Sequence, residues 1–225
     1  MTTAVYKTAV EVNDAMLRVY NYMFMAILIS GIVSYFVGNS ADLLQFFFTG
    51  WIKWVVIFSP LAAVIGIGFA LAANPPRELA LLMLAGFSAL MGLSFAMIFA
   101  VFTLGSIVMA FMSAAVLFGT MSLYGYFTRR DLTSIGQFLF VGLIAVVIAS
   151  VINVFVGSSV MTMVISAIAV IVFTGLTAYD TQKIREAVSV EGDTGREEVL
   201  GALTLYMDFI NLFINLLQLF GIKKD

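Results

Sequence analysis

Histidine and cysteine are both missing from the 225 residues, and only three prolines are present. Without Cys there is no disulfide framework and no thiolate site, and without His there is no imidazole base, no His-ligated metal and no His-containing triad. Charge is scarce as well, at 11% of residues where soluble domains carry about 25%. The 11 Lys+Arg and 13 Asp+Glu leave a net charge of −2 with no basic run, so nothing marks a nucleic-acid partner. What is abundant is apolar surface: 62% of residues are hydrophobic against about 45–50% in soluble chains. The composition is that of an all-α integral membrane protein whose first partner is the lipid bilayer. A membrane barrel would instead show short segments of strict alternation, whereas these runs are apolar on every side.

The few charges punctuate the chain, because each costs several kcal/mol near the bilayer centre while a helical crossing needs about 20 apolar residues. Residues 19–41 and 54–76 are uncharged and each suffices for one crossing. Residues 79–128 and 132–179 are uncharged over about twice that length, so each is expected to be a helical hairpin. The turns are expected near Thr103-Leu104-Gly105-Ser106 and Val156-Gly157-Ser158-Ser159, where small and turn-forming residues cluster. Residues 199–222 form a last apolar segment containing one acid, Asp208. The organisation expected is a tail over residues 1–18, one seven-helix membrane domain over 19–222 and a short tail over 223–225. Six helices are expected to surround the polar-striped seventh. The first tail lacks a basic region followed by a short apolar core and is not expected to be a cleaved signal peptide. Its Val5, Ala9, Val12 and Met16 recur at helical spacing, which fits a short interfacial helix.

Orientation follows from the basic residues. Lys7, Arg18, Arg77, Arg129, Arg130, Lys183, Arg185 and Arg196 fall on the N-terminal side, and Lys53, Lys223 and Lys224 on the other. The N-terminus and the segment from Asp180 to Glu198 are therefore expected in the cytoplasm. Re-entry of the seventh segment would move Lys223 and Lys224 inward, so charge leans toward re-entry over a full crossing. Ser88, Gly92, Ala96 and Ala100, four apart, are expected to form a seam where two helices approach closely.

Two carboxylates break the apolar pattern. Asp180 closes the sixth segment, and Asp208 lies inside the seventh. Around it Thr204, Asp208, Asn211, Asn215 and Gln218 recur at intervals of four, three, four and three, which is one face of an α-helix. In lipid such a face must turn inward. Asp180 can be read as a solvated helix end beside Lys183, and Asp208 as a bonded structural acid. Brought together, the two cannot both ionise comfortably, so a proton is shared and the pair titrates as a unit. In a chain without His, that is the device available for sensing pH within the membrane.

The strings Tyr179-Asp180-Thr181-Gln182 and Leu205-Tyr206-Met207-Asp208-Phe209-Ile210-Asn211-Leu212-Phe213, with seven apolar segments in this order, resemble the Bax inhibitor-1 family and its bacterial members in particular. The resemblance implies six helices around a seventh, with Asp180 and Asp208 as a pH-sensitive latch over a calcium-leak pathway in a bacterial inner membrane. It also implies an animal branch that suppresses cell death, and bacterial members that modulate a membrane-bound ATP-dependent protease. One departure stands out. Some bacterial members place an arginine in the second helix near the aspartates, whereas residues 54–76 have no basic residue and Arg77 lies just beyond.

The resulting expectation is a pH-sensitive cation leak, for calcium, with no resident cofactor and no catalysis. Asp180 and Asp208 would gate it and touch the ion transiently, and Thr204, Asn211, Asn215 and Tyr179 would line the pathway. Calcium prefers oxygen ligands, which these side chains supply, and a site this poor in charge suits passage rather than storage. Two further readings are a membrane adaptor that modulates a membrane-bound protease without transport, and a proton-coupled carrier. A carrier would usually show broken helices, for which Pro60 and the Asn74-Pro75-Pro76 turn are thin support. An intramembrane aspartyl protease also uses Tyr-Asp but requires Gly-x-Gly-Asp at its second acid, where this chain has Leu205-Tyr206-Met207. A rhomboid-type protease needs a histidine.

Overall fold

The computed structural model describes residues 7–73, 75–190 and 195–224. Val5, Asn74 and part of the segment between Asp180 and Glu198 lie outside them. The described residues form helices and connecting turns, with no strands. The helices are α1 (Ala9–Gly38), α2 (Ala41–Phe48), α3 (Ile52–Ala72), α4 (Arg77–Ser94), α5 (Ala96–Val101), α6 (Leu104–Phe127), α7 (Thr133–Val156), α8 (Ser159–Val188) and α9 (Arg196–Phe220). Seven stretches are long and apolar enough to cross a membrane, with α4 and α5 together making the third. The fold is that of an all-α integral membrane protein.

Several boundaries follow from local chemistry. Thr8 and Glu11 form a reciprocal capping box, so α1 starts at Ala9 and residues 9–18 are its opening turns rather than a separate interfacial helix. Both hairpin turns fall where expected. Thr103 caps α6 through Ser106, and Gly157 ends α7 at φ 69, in the left-handed region that glycine enters without strain. Two features exceed the expectation. The short α2 lies between the first two crossings, and α8 continues past Asp180 to Val188.

The chain divides into two compact units. One comprises Met1–Phe102, Ala187–Tyr206 and Lys223–Asp225, and the other Thr103–Glu186 and Met207–Ile222. In the first, α1 and α4 meet along small residues. A β-carbon on Gly92 would come within 2.5 Å of the Ser30 carbonyl oxygen, and one on Gly38 within 2.4 Å of that of Ala96. The Ser30 hydroxyl donates to the Ser88 carbonyl at 2.7 Å. This is the small-residue seam, and backbones this close permit dispersion contacts that larger side chains would prevent. In α3, Pro60 has no N–H for the Val56 carbonyl one turn earlier. Ser59 and Ser94 donate their hydroxyls to that oxygen at 3.1 and 2.6 Å, so the break is satisfied without water and the helix continues.

The second unit repeats the device. A β-carbon on Gly125 of α6 would stand 2.1 Å from the Ala178 carbonyl oxygen of α8, and one on Gly136 of α7 2.4 Å from the Tyr179 ring. Phe209 of α9 is buried, with its ring edge-on to Phe111 and Phe118 of α6 at 5.2 and 5.8 Å. Of the seven crossings α9 is the most buried, at 67% of its apolar window against 33% or less in the others. It is one unbroken helix of 25 residues. In the first unit its start lies beside Arg77 at the head of α4, and the chain just after its end pairs with the foot of α5 through Phe102 and Lys223. The seventh segment therefore runs the full length of the third and does not re-enter. Lys223 and Lys224 stay at the far end, where the Lys224 ammonium donates to the Phe99 carbonyl at 2.7 Å.

Candidate functional site: a carboxyl pair on the last two crossings

Asp180 and Asp208 are brought together by two extensions. α8 passes Asp180 by two further turns, because the polar residues that read as its end are paired in the fold. The Thr181 hydroxyl donates to the Thr177 carbonyl at 2.7 Å and pairs with the Ser122 hydroxyl at 3.0 Å. Gln182 is buried, accepts from the Leu132 N–H at 2.9 Å and donates to the Arg130 carbonyl at 2.9 Å, tying α8 to the α6–α7 turn. α9 then begins at Arg196, after Gly195 at φ 86. Only glycine serves there, since its conformation is strained for an L residue and a β-carbon would stand 3.0 Å from the Arg77 side chain.

The Asp180 carboxyl lies within hydrogen-bonding reach of the Asp208 carboxyl. Asp208 is 4% exposed, and its Oδ2 is buried without a hydrogen-bond donor. Two carboxylates repel, so a proton shared on the oxygens that face each other would ease this approach, while Oδ2 stays without a partner. Arg77, the cation that might have served the pair, is committed elsewhere. It donates to Glu198 at 3.1 Å and to the Tyr22 hydroxyl. Arg18 donates to the same carboxylate at 2.7 Å. Glu198, in the first turn of α9 and 4% exposed, is thus gripped by guanidiniums from α1 and α4. Sequence reasoning missed this cluster. The signal in the sequence was an acid opening α9 and two arginines on the same side of the membrane in the charge count.

The expected pathway residues lie along one continuous helix, apart from Tyr179 on α8. Thr204 bonds the Leu200 carbonyl at 3.1 Å. Asn211 and Asn215 lie with the aspartates in the second unit, and each donates one turn back, to the Met207 and Asn211 carbonyls at 2.8 Å. Gln218 accepts from Ser166 at 2.7 Å. The stripe is real, and a good part of its bonding capacity is spent on its own helix. Tyr179 faces α7, with its ring against Gly136 and under the Lys183 ammonium. Outside the crossings, hydrogen bonds from the Thr133 side chain and, at 2.8 Å, from the Thr133 N–H hold the Asp131 carboxyl below its usual value and fasten the start of α7.

Seven crossings, the last carrying a buried acid against an acid of the sixth, define a class of α-helical membrane protein in which the final helix bears the polar chemistry. Comparison with known families agrees. Residues 12–225 match the family model described as inhibitor of apoptosis-promoting Bax1, and the chain belongs to the Bax inhibitor-1 family. It is 39% identical over 215 residues to the inner membrane protein YbhL of Escherichia coli, covering 93% of this chain and 92% of that one. It is 36% identical over 230 residues to the uncharacterized protein RP147 of Rickettsia prowazekii, covering 100% and 96%. An uncharacterized protein of Borreliella burgdorferi is 35% identical over 221 residues, covering 95% and 94%.

Proposed function

We propose that this protein is a pH-sensitive cation leak of a bacterial inner membrane, with calcium as the permeant ion and the Asp180–Asp208 pair as its gate. One observation carries the reading: among the described residues, Asp208 is buried against a half-buried Asp180 on the adjacent crossing, with an oxygen left unbonded and no cation engaged with the pair. A structural pair would be expected to close its hydrogen bonds or recruit an arginine. A pair left open to a proton changes charge with pH, and that change is the switch. Protonated, the two carboxyls hold α8 and α9 together; when the proton leaves, repulsion separates them and exposes two oxygens to a hard cation. Among the described residues no third carboxylate joins them, in keeping with a site that passes calcium rather than retains it. The distribution of basic residues supports a cytoplasmic N-terminus.

The test is calcium flux into liposomes holding the purified protein, across pH. Flux in the parent should depend on pH, and Asp208→Asn and Asp180→Asn, which keep shape and remove titration, should abolish that dependence. An unchanged profile in both variants ends the proposal. The bonding of Asn211 and Asn215 to their own helix favours a second reading, a membrane adaptor for a membrane-bound ATP-dependent protease. If Asn211→Leu and Asn215→Leu both conduct like the parent, the stripe is packing and the adaptor reading takes precedence.

A further inference from the structure

Residues 39–58, between the first two crossings, take no part in the carboxyl pair. None of the eight residues of α2 is buried. Asp42, Gln45 and Thr49 follow at helical spacing along one side, and the large apolar Leu43 and Phe46 are 40% and 59% exposed. The next turn leaves Trp51 and Trp54 73% and 56% exposed, with Trp54 stacked on Phe58 and the Lys53 ammonium 5.2 Å from its ring centre. We propose that α2 and the start of α3 form an anchor seated in the boundary between phospholipid headgroups and acyl chains.

Two arguments bound its depth. In water, this cluster of exposed aromatic and aliphatic surface would be costly. In the hydrocarbon core, Asp42, Gln45 and the turn around Gly50, where φ is 59 and the helices are interrupted, would strand polar groups. Only the boundary layer suits both, and it is the layer in which tryptophan concentrates. The segment joins the end of one crossing to the start of the next, which puts it at a bilayer surface by connectivity. One acid and one lysine flank it, so zwitterionic lipid suffices and an anionic surface is not required.

The chain has two tryptophans and both lie here, so tryptophan emission, excited selectively over the eight tyrosines, reports on this segment. The full chain is reconstituted into phosphatidylcholine liposomes whose acyl chains carry bromine either near the headgroup or near the chain end, and iodide is added as an aqueous quencher. Shallow bromines should quench about twofold more than deep ones, with weak quenching by iodide. Trp51→Phe and Trp54→Phe, which keep an aromatic ring, should each retain that order. Phe46→Glu should lower quenching by shallow bromines. Stronger quenching by deep bromines, or strong quenching by iodide in the parent, would overturn the anchor, as would single-tryptophan variants that disagree in order. Ion flux plays no part in these readouts, so they are independent of the leak.

Discussion

Glu198 and Asp208 ride on the same helix, and both are buried. Glu198 receives two guanidiniums from helices far away in sequence, whereas Asp208 receives another acid and keeps an oxygen unbonded. A buried charge is costly unless it is paired. The first arrangement meets that cost with counter-charge and fixes α9 in place. Under the proposed function the second meets it with a proton that can leave. One helix thus carries an ion-paired acid near its start and an acid facing another acid farther along.

The sharpest way to break this contrast is to neutralise each acid in turn. Glu198→Gln should lower stability by about 2 kcal/mol, less than the about 3–5 kcal/mol of a fully buried pair, because both guanidiniums are partly exposed. Thermal melting in detergent would read it, and a melt within a degree of the parent would refute the fastening. Gly125→Ala should cost about 1–3 kcal/mol by prying α6 from α8 beside the aspartate pair, whereas Gly119→Ala, with open space at its β-carbon, should be neutral or stabilising. Equal melts for the two would remove the seam from the account. Asp208→Asn should change stability by less than about 1 kcal/mol in either direction, since an amide can bond to Asp180 where a proton did. A loss as large as that of Glu198→Gln would make the pair a fastening too. The smallest effect belongs to Asp131. Its folded value is lowered from the ordinary 3.8, so its contribution is complete above that pH and is lost as pH falls through the lowered value. Asp131→Asn should alter melting only in that acid range, and any pH dependence of the parent near neutrality must come from other groups.

The crossings were legible because charge in this chain, Asp208 apart, gathers at their ends, and the hairpin turns because Thr103 and Gly157 carry their own capping chemistry. The face bearing Asp208, Asn211 and Asn215 was legible from spacing. That α8 would overrun Asp180 was not, because Thr181, Gln182 and Lys183 look like a helix emerging into water. The partners of Thr181 and Gln182, namely Ser122, Arg130 and Leu132, are distant in sequence. Arg77 read as a candidate for the aspartates, and nothing local to it points to Glu198. α2 was hidden by length, since an eight-residue helix between a serine and a threonine reads as a loop.

The grip on Glu198 also bears on how the chain is built. Synthesis runs from the N-terminus, so Arg18 and Arg77 reach the membrane before their carboxylate has been made. The early helices wait with unmatched positive charge until the final one arrives, and α9 closes the assembly as the last part added. A chain stopped short of Arg196 would hold six of the seven crossings and lack the acid to which Arg18 and Arg77 both pair.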